Sequence, residues 1–348
     1  MNDFRGPRDG EKGVGGGPVS LDTRQVFTLD LGMRDSPNRR DFIRGLAGGA
    51  AGFSLGAHAL KGLGRAQGTP IAATRLADDF VLVSGTGGNV LAVNGPDGTL
   101  MVDGGLPERS AALLEAVSAQ PGAGDVEVLF NTHWHPEHTG SNDRLGRAGA
   151  RILAQENTRL WMGREIKVEW QDRVYPPRAP EALPNDTFYA HESPRRMDFG
   201  RVAIEYGHLF QAHTDGDIYV FFPGPNILMA GDVVSVGSYP ILDYSTHGWL
   251  GGMANASRDL LEIVDSETII VPGSGPVQTR QDLEAQFEML STVRQRVVEM
   301  IRMGFGAREM LENGATEGFD EKWGDPERFV LSIYPGLWGH VRELGGIV

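Results

Sequence analysis

The stretch NTHWHPEHTG at residues 131–140 constrains this chain more than any other. It follows directly on the apolar run VEVLF at 126–130 and places three histidines and a glutamate within six positions. Two residues apart, side chains diverge by about 200° on a helix but share one face of an extended segment. His133 and His135 therefore converge only where the backbone stays extended. Pro136 favours that geometry at His135 and is itself suited to open a helix. Glu137 and His138 then fall in a first helical turn and point differently. The segment thus reads as a strand, an extended loop and a helix start, presenting two ligand groups, His133 with His135 and Glu137 with His138. Two adjacent metal positions would want that arrangement.

The chain contains no cysteine. Disulfides, thiolate sites and cysteine nucleophiles are excluded, and any metal must sit on His, Asp or Glu. Its 348 residues, 40% hydrophobic, suffice for one sizeable core or two. The net charge of -14 argues against nucleic acid, whose phosphates are held by clustered Lys and Arg.

The N-terminal region reads as a processing signal. SPNRRDFIRG places Arg39 and Arg40 ahead of Phe42 and Ile43, and the small, weakly apolar run LAGGAAGFSLGAHAL follows at 46–60. This resembles a twin-arginine export signal. The run is shorter than the ~20 apolar residues of a spanning helix, so no permanent membrane anchor is expected. Ala57-His58-Ala59 and Gly64-Arg65-Ala66 both offer small-x-small cleavage patterns, and Met33 is a second candidate start. The expected division is a disordered N-terminus and signal over 1–66, then one domain over 67–348 with a C-terminal helical extension from about 279. Because twin-arginine systems carry folded cargo, the resemblance implies metal loading in the cytoplasm, the export machinery as a partner, and a periplasmic or secreted product.

Beyond residue 71, β-branched runs alternate with turns at 80–85, 89–98 and 99–105, with Asn94-Gly95-Pro96-Asp97-Gly98 marking a tight hairpin. Helical spacing follows at 107–120. Strand, helix and strand in this order predict a layered α/β domain. Residues 165–198 show no clear period and read as a long surface excursion, either a lid or binding loop or else a disordered segment. Strand patterns resume between 202 and 232, a helix is expected at 253–265, a strand at 268–273, and a long amphipathic helix at about 279–303.

Three more stretches join the first. AHTDGD places His213 in a turn between strands; MAGDVV places Asp232 where an apolar strand ends; VPGSGP, at 271–276, ends the next strand. In order and spacing these resemble the metallo-β-lactamase superfamily, from about residue 72 to about 303. The resemblance implies an αββα sandwich, two mixed β-sheets face to face flanked by helices, with a metal centre along one edge. It assigns His133, His135 and His213 to a first zinc, a three-histidine site with a position left for water. It assigns Glu137, His138 and the bridging Asp232 to a second metal, with Glu137 and Asp232 as the catalytic carboxylates. Asp103 in VDGG matches a position that orients a ligand by hydrogen bonding; shaping the turn at Gly104-Gly105 is its competing role.

Two departures strike the second site. Glu137 stands where most members have Asp, moving the carboxylate by about 1.5 Å against a ligand tolerance of about 0.2 Å. Ser274 stands where the family supplies its last histidine, and a neutral hydroxyl is a poor zinc ligand. The remaining oxygen-weighted set favours Mn or Fe over Zn, or leaves the position partly empty. His247 is a candidate substitute ligand. Tyr239 and Tyr244 are candidate donors to a developing oxyanion, with core packing as the alternative. Trp134 and Trp161 are candidates for an apolar wall. The implied activity is metal-dependent hydrolysis by a metal-bound hydroxide of an ester, lactone, thioester or β-lactam in a small molecule. The alternative is an exported metal- or ligand-binding protein of the same fold without turnover.

Overall fold

The structure is a computed structural model that describes residues 69–337. The twin-arginine pair, the apolar run and both cleavage patterns lie outside the described residues. Strands β1 (Ala72–Ala77), β2 (Phe80–Ser84), β3 (Val90–Gly95) and β4 (Gly98–Val102) form an antiparallel meander. Its last turn is the expected Pro96-Asp97 hairpin, closed by Gly95 opposite Gly98. A 3-10 turn at Pro107–Arg109 leads into α1 (Ser110–Ser118), which returns the chain to β5 (Val126–Phe130), parallel to β4. After the histidine loop come α2 (Pro136–Thr139), α3 (Asn142–Ala148), β6 (Arg151–Gln155) and α4 (Glu156–Met162). A small hairpin of β7 (Ile166–Val168) and β8 (Arg173–Tyr175) precedes β9 (Asp186–Phe188), the edge strand of this first, seven-stranded sheet.

The second sheet has five strands: β10 (Arg195–Phe199), β11 (Val202–His208), β12 (Ile218–Phe222), β13 (Ile227–Met229) and, beyond α5 (Leu250–Ile263), β14 (Ile269–Val271). The first four run antiparallel and β14 runs parallel to β13. Helices α6 (Arg280–Arg302), α7 (Ala307–Glu312), α8 (Asp320–Trp323) and α9 (Glu327–Leu337) complete the described chain.

Period-two alternation explains how the layers stack. Phe80 and Leu82 of β2 point into the space between the sheets, as do Ile218, Val220 and Phe222 of β12 and Ile227 and Met229 of β13. Phe80 meets Phe222 edge-on at 5.1 Å, so the two sheets pack face to face. The alternate residues turn outward: Val81 and Val83 pack with Leu113 and Val117 of α1, while Leu228 and Ile270 pack with Leu260 of α5 and Leu290 of α6. The result is a mixed α/β architecture with helices on both outer faces. Thr279 caps α6 through a reciprocal bond with Asp282.

The middle excursion is more ordered than its aperiodic sequence predicts. Ile166, Val168 and Tyr175 cluster with Trp134 and Met162, so the hairpin is seated on the histidine loop, and β9 extends the sheet beside β6. Three-residue strands are too short to show a period. Among the described residues no helix is long and apolar enough to cross a membrane.

Candidate metal centre

One rim of the sandwich collects every loop of interest: those following β4, β5, β13 and β14, and the β11–β12 loop. His135 has φ -57° and ψ 147°, extended backbone, and Pro136 is the first residue of α2. The proline therefore separates the two ligand pairs as its stereochemistry requires.

Each histidine has one nitrogen committed outward. His133 Nδ1 lies 3.1 Å from Thr132 Oγ1, and that hydroxyl donates to Asp103 Oδ2 at 2.8 Å. His135 Nε2 lies 3.1 Å from Asp243 Oδ2. His138 Nδ1 lies 2.7 Å from Asp103 Oδ2, and His213 Nδ1 lies 2.8 Å from the Ile241 carbonyl. Since these partners are acceptors, each outward nitrogen carries an N–H, and the inward nitrogen is the atom left to ligate. The inward atoms face one another: His213 Nε2 is 3.3 Å from His135 Nδ1, and His133 Nε2 and His213 Nε2 are 3.8 Å and 3.7 Å from Asp232 Oδ2. His138 Nε2 is 3.3 Å from Asp232 Oδ1.

Two donor sets result, His133, His135, His213 and Asp232, and Glu137, His138 and Asp232, with the atoms of each set within 4.8 Å of one another. The buried His133 Nε2 has no hydrogen-bond partner. A buried imidazole lone pair without a donor is costly in a protein interior, and a divalent cation satisfies all these atoms at once. The residues present fit a metal centre.

The electrostatics agree. Burial, reinforced by the charges of His138 and His135, pushes His133 well below the ordinary imidazole range, and burial with the charge of His135 lowers His213. Both are therefore neutral near pH 7, the form able to ligate a metal. Burial also acts to lower His138, but the charges of Asp103 and Asp232 outweigh it and raise this group well above its ordinary value. Burial disfavours the charged form of Asp232, yet the His138 charge and hydrogen bond hold the carboxyl well below the usual range.

Asp103 both shapes its turn, at φ 68°, and spans the two donor sets: Oδ1 accepts from the Thr132 N–H at 2.8 Å, and Oδ2 from Thr132 Oγ1 and His138. Ser274 is exposed. His247 is not brought into either donor set; it is exposed, and its ring lies 5.6 Å from that of Trp161. Tyr239 belongs to the core, its ring stacked on Phe329 at 4.8 Å and its hydroxyl bonded to Asp320 Oδ1 at 2.7 Å, so it has no donor left for a reacting group. Tyr244 is half-buried. Trp134 is buried, donates to Thr246 Oγ1 at 3.1 Å and meets His135 edge-on at 4.5 Å; it backs a ligand rather than walling a pocket. Trp161 donates to Asp215 Oδ1 at 2.6 Å.

Asp243 and Thr132 escaped sequence reasoning. Asp243 sits in ILDYST, where an Asp two residues before a Ser suggests only a local Asx turn, and its carboxylate does accept the Ser245 N–H at 3.1 Å. Its second task reaches across the fold.

Residues 83–288 match the family model of the metallo-β-lactamase superfamily, and the chain belongs to that superfamily. Among solved structures it is similar to a metallo-β-lactamase from Pontibacter korlensis, with TM-score 0.51 and 19% identity over 64% of this chain and 99% of that one. A metallo-β-lactamase from Hirschia baltica gives TM-score 0.51 and 17% identity, covering 64% and 98%. The stereoselective inverting sec-alkylsulfatase Pisa1 from Pseudomonas sp. gives TM-score 0.58 and 13% identity over 78% of this chain and 50% of that one. At these identities the likeness is one of fold. The protein is thus a member of a hydrolase superfamily with a His/Asp cluster able to bind a metal ion.

Proposed function

We propose that this chain is a zinc-dependent hydrolase of small molecules, cleaving an ester, lactone, thioester or β-lactam bond. The observation that carries this reading is the set of four imidazoles whose outward nitrogens are all occupied and whose inward nitrogens gather around Asp232. His133, His135 and His213 would hold the first ion. Glu137, His138 and Asp232 would hold the second, with Asp232 common to both sets. A bound divalent cation supplies Lewis acidity, polarising an electrophilic bond and making water acidic enough to react near neutral pH. Asp232, kept ionised by His138, balances the positive charge of the centre. Glu137 is the more open of the two carboxylates, with its side chain 35% exposed and Oε1 3.9 Å from His135 Nδ1, and is placed to take or return a proton at the solvent side.

The second position is the weaker one in this proposal. Its set is one imidazole and two carboxylates, which suits Mn or Fe as well as Zn, and exposed Ser274 brings no charge to it. That same feature supports a second reading, a metal- or ligand-binding protein without turnover. Activity on a panel of esters, lactones, thioesters and β-lactams separates the two. Hydrolysis abolished by chelator and by His133→Ala supports the enzyme; a fully metallated protein that turns over none of the panel supports the binder. Elemental analysis of the purified protein identifies the ions.

The twin-arginine reading makes the chain a periplasmic or secreted protein exported after folding. Replacing Arg39 and Arg40 together by Lys is expected to retain it in the cytoplasm, scored by fractionation; unchanged export sinks that reading.

A further inference from the structure

We propose that the C-terminal helix α9 is a positioning element of the metal centre, with Arg328 holding Trp170 on Asp243 and thereby fixing His135; the inference rests on the reading of the histidine cluster as a metal site. α9 lies beyond residue 288, where the superfamily match ends, so the shared pattern gives it no part in the site. Yet it bears on the surroundings of the centre at both of its ends. In its first turn, the Arg328 guanidinium lies over the Trp170 ring, 4.3 Å from the centroid. The next residue, Phe329, stacks on Tyr239 at 4.8 Å. In its last turn, Gly336 packs on the loop around Asp243. A Cβ built there would fall 3.6 Å from the Gly248 carbonyl oxygen and 3.7 Å from Tyr244 Cβ, ordinary van der Waals contact.

That loop orients two of the three histidines assigned to the first ion. Asp243 Oδ2 faces His135 Nε2 at 3.1 Å, and the Ile241 carbonyl accepts from His213 Nδ1 at 2.8 Å. The loop backbone is also sewn to the His213 segment. The Asp243 N–H donates to the His213 carbonyl at 2.9 Å, and the Trp249 N–H to the Ala212 carbonyl at 3.1 Å. A helix seated on this loop therefore bears on the ligands without touching them. Trp170 makes the most direct link. It sits in the 3-10 turn Glu169–Gln171 between β7 and β8 and packs, half-buried, on the cluster that holds Trp134, Val168 and Tyr175. Its Nε1 donates to Asp243 Oδ1 at 3.4 Å. A carboxylate turns about its Cβ–Cγ bond unless both oxygens are held. Thr246 Oγ1 and His135 hold Oδ2, while the Ser245 N–H and Trp170 hold Oδ1. The indole bond is long, so the placement of the ring decides whether it is made. Arg328 fixes that placement by the attraction between a cation and an aromatic face.

The test titrates the full-length, metal-free chain with Zn2+ in competition with a chelating dye. Trp170→Phe keeps the ring and removes the N–H, and is expected to weaken the tighter ion by about 3- to 10-fold, the size of one modest hydrogen bond. Arg328→Gln is expected to weaken it by about 2- to 5-fold, and Arg328→Lys, which keeps the cation, should regain most of that loss. Because Arg328 acts through the indole N–H, the double variant should bind like Trp170→Phe alone. Arg308→Gln, which removes the same charge from an exposed position of α7, should match wild type. Affinity unchanged in either Trp170→Phe or Arg328→Gln, additive losses in the double variant, or an equal loss in Arg308→Gln overturns the proposal. If wild type binds no Zn2+, the metal reading fails, and the Nε2–H resonance of His135 in the metal-free chain, observed by NMR, decides the relay by itself. A resonance that both Trp170→Phe and Arg328→Gln move supports it; one that either variant leaves in place overturns it.

Discussion

Asp243 Oδ2 lies 3.1 Å from His135 Nε2, joining residues 108 apart in the chain. The carboxylate is fully buried and accepts further hydrogen bonds from Thr246 Oγ1 at 2.8 Å and Trp170 Nε1 at 3.4 Å. Burial acts to raise its pKa, but the hydrogen bond and charge of His135 outweigh burial and hold it at about 2. It therefore stays ionised, keeps the proton of His135 on Nε2 and turns Nδ1 toward the donor set. A carboxylate behind an imidazole fixes the ring and makes it a better ligand.

Replacing that carboxylate tests this role. Asp243→Asn keeps the shape but loses the charge, and first-site metal affinity is expected to fall by about 10- to 100-fold. Competition against a chelating dye measures it. Affinity within twofold of wild type would show that the backbone alone orients His135.

The four imidazoles split into two pairs with opposite pH behaviour. His133 and His213 are lowered, chiefly by burial, so in the metal-free protein they favour unfolding as pH drops below the ordinary imidazole value near 6.5. His138 and His135 are raised by carboxylates that outweigh burial. Their contribution is full below 6.5 and is lost as pH rises through the folded values. Stability of the chelator-treated protein is therefore expected to peak near pH 6.5. Metal affinity should instead climb above that point, by about tenfold per pH unit for each proton displaced. Calorimetry in buffers of different ionisation enthalpy reads the released protons directly, and an enthalpy independent of buffer would contradict the pairing.

The second donor set is expected to be limited by the residue at 274. Ser274 follows Gly273, whose backbone abuts Asp232. Ser274→His should tighten retention of a second ion by about tenfold or more, since a direct ligand contributes at least as much as the groups that orient one. Metal per chain after exhaustive dialysis is the readout. Unchanged stoichiometry and affinity would place the weakness in Glu137 instead.

Much of this architecture could be read before any coordinates. Pro136 dictated the switch from extended loop to helix, and the short apolar runs of β2, β12 and β13 announced strands. The Gly-rich hairpin and the α6 stripe of Leu283, Leu290, Val293 and Val297 were equally plain. What stayed hidden depends on contacts between distant segments. Asp243 carries a local turn signature that masks its bond to His135, and β7, β8 and β9 are too short for any period to appear. Tyr239 stood near the right loop in sequence, yet its hydroxyl is claimed by Asp320, 81 residues further on.

Gly273 makes the last test, because it shows how little room the rim allows. A Cβ built there would fall 2.0 Å from Asp232 Oδ1 and 2.9 Å from the Asp232 backbone nitrogen. Those atoms are not the free end of a flexible chain; the carboxylate belongs to both donor sets. The Gly273 N–H also donates to the Gly231 carbonyl at 2.7 Å, and its carbonyl accepts from the Asn89 N–H at 2.7 Å, so the backbone cannot withdraw without breaking the rim. Gly273→Ala must therefore displace Asp232. We expect a loss of about 1–3 kcal/mol in stability, as for other overpacked sites, together with weaker binding at both metal positions. Leu290→Ala, on the buried face of α6, should cost about 2–5 kcal/mol through its cavity while leaving metal content intact. Denaturant melts and metal analysis on the two variants separate damage to the centre from damage to the fold.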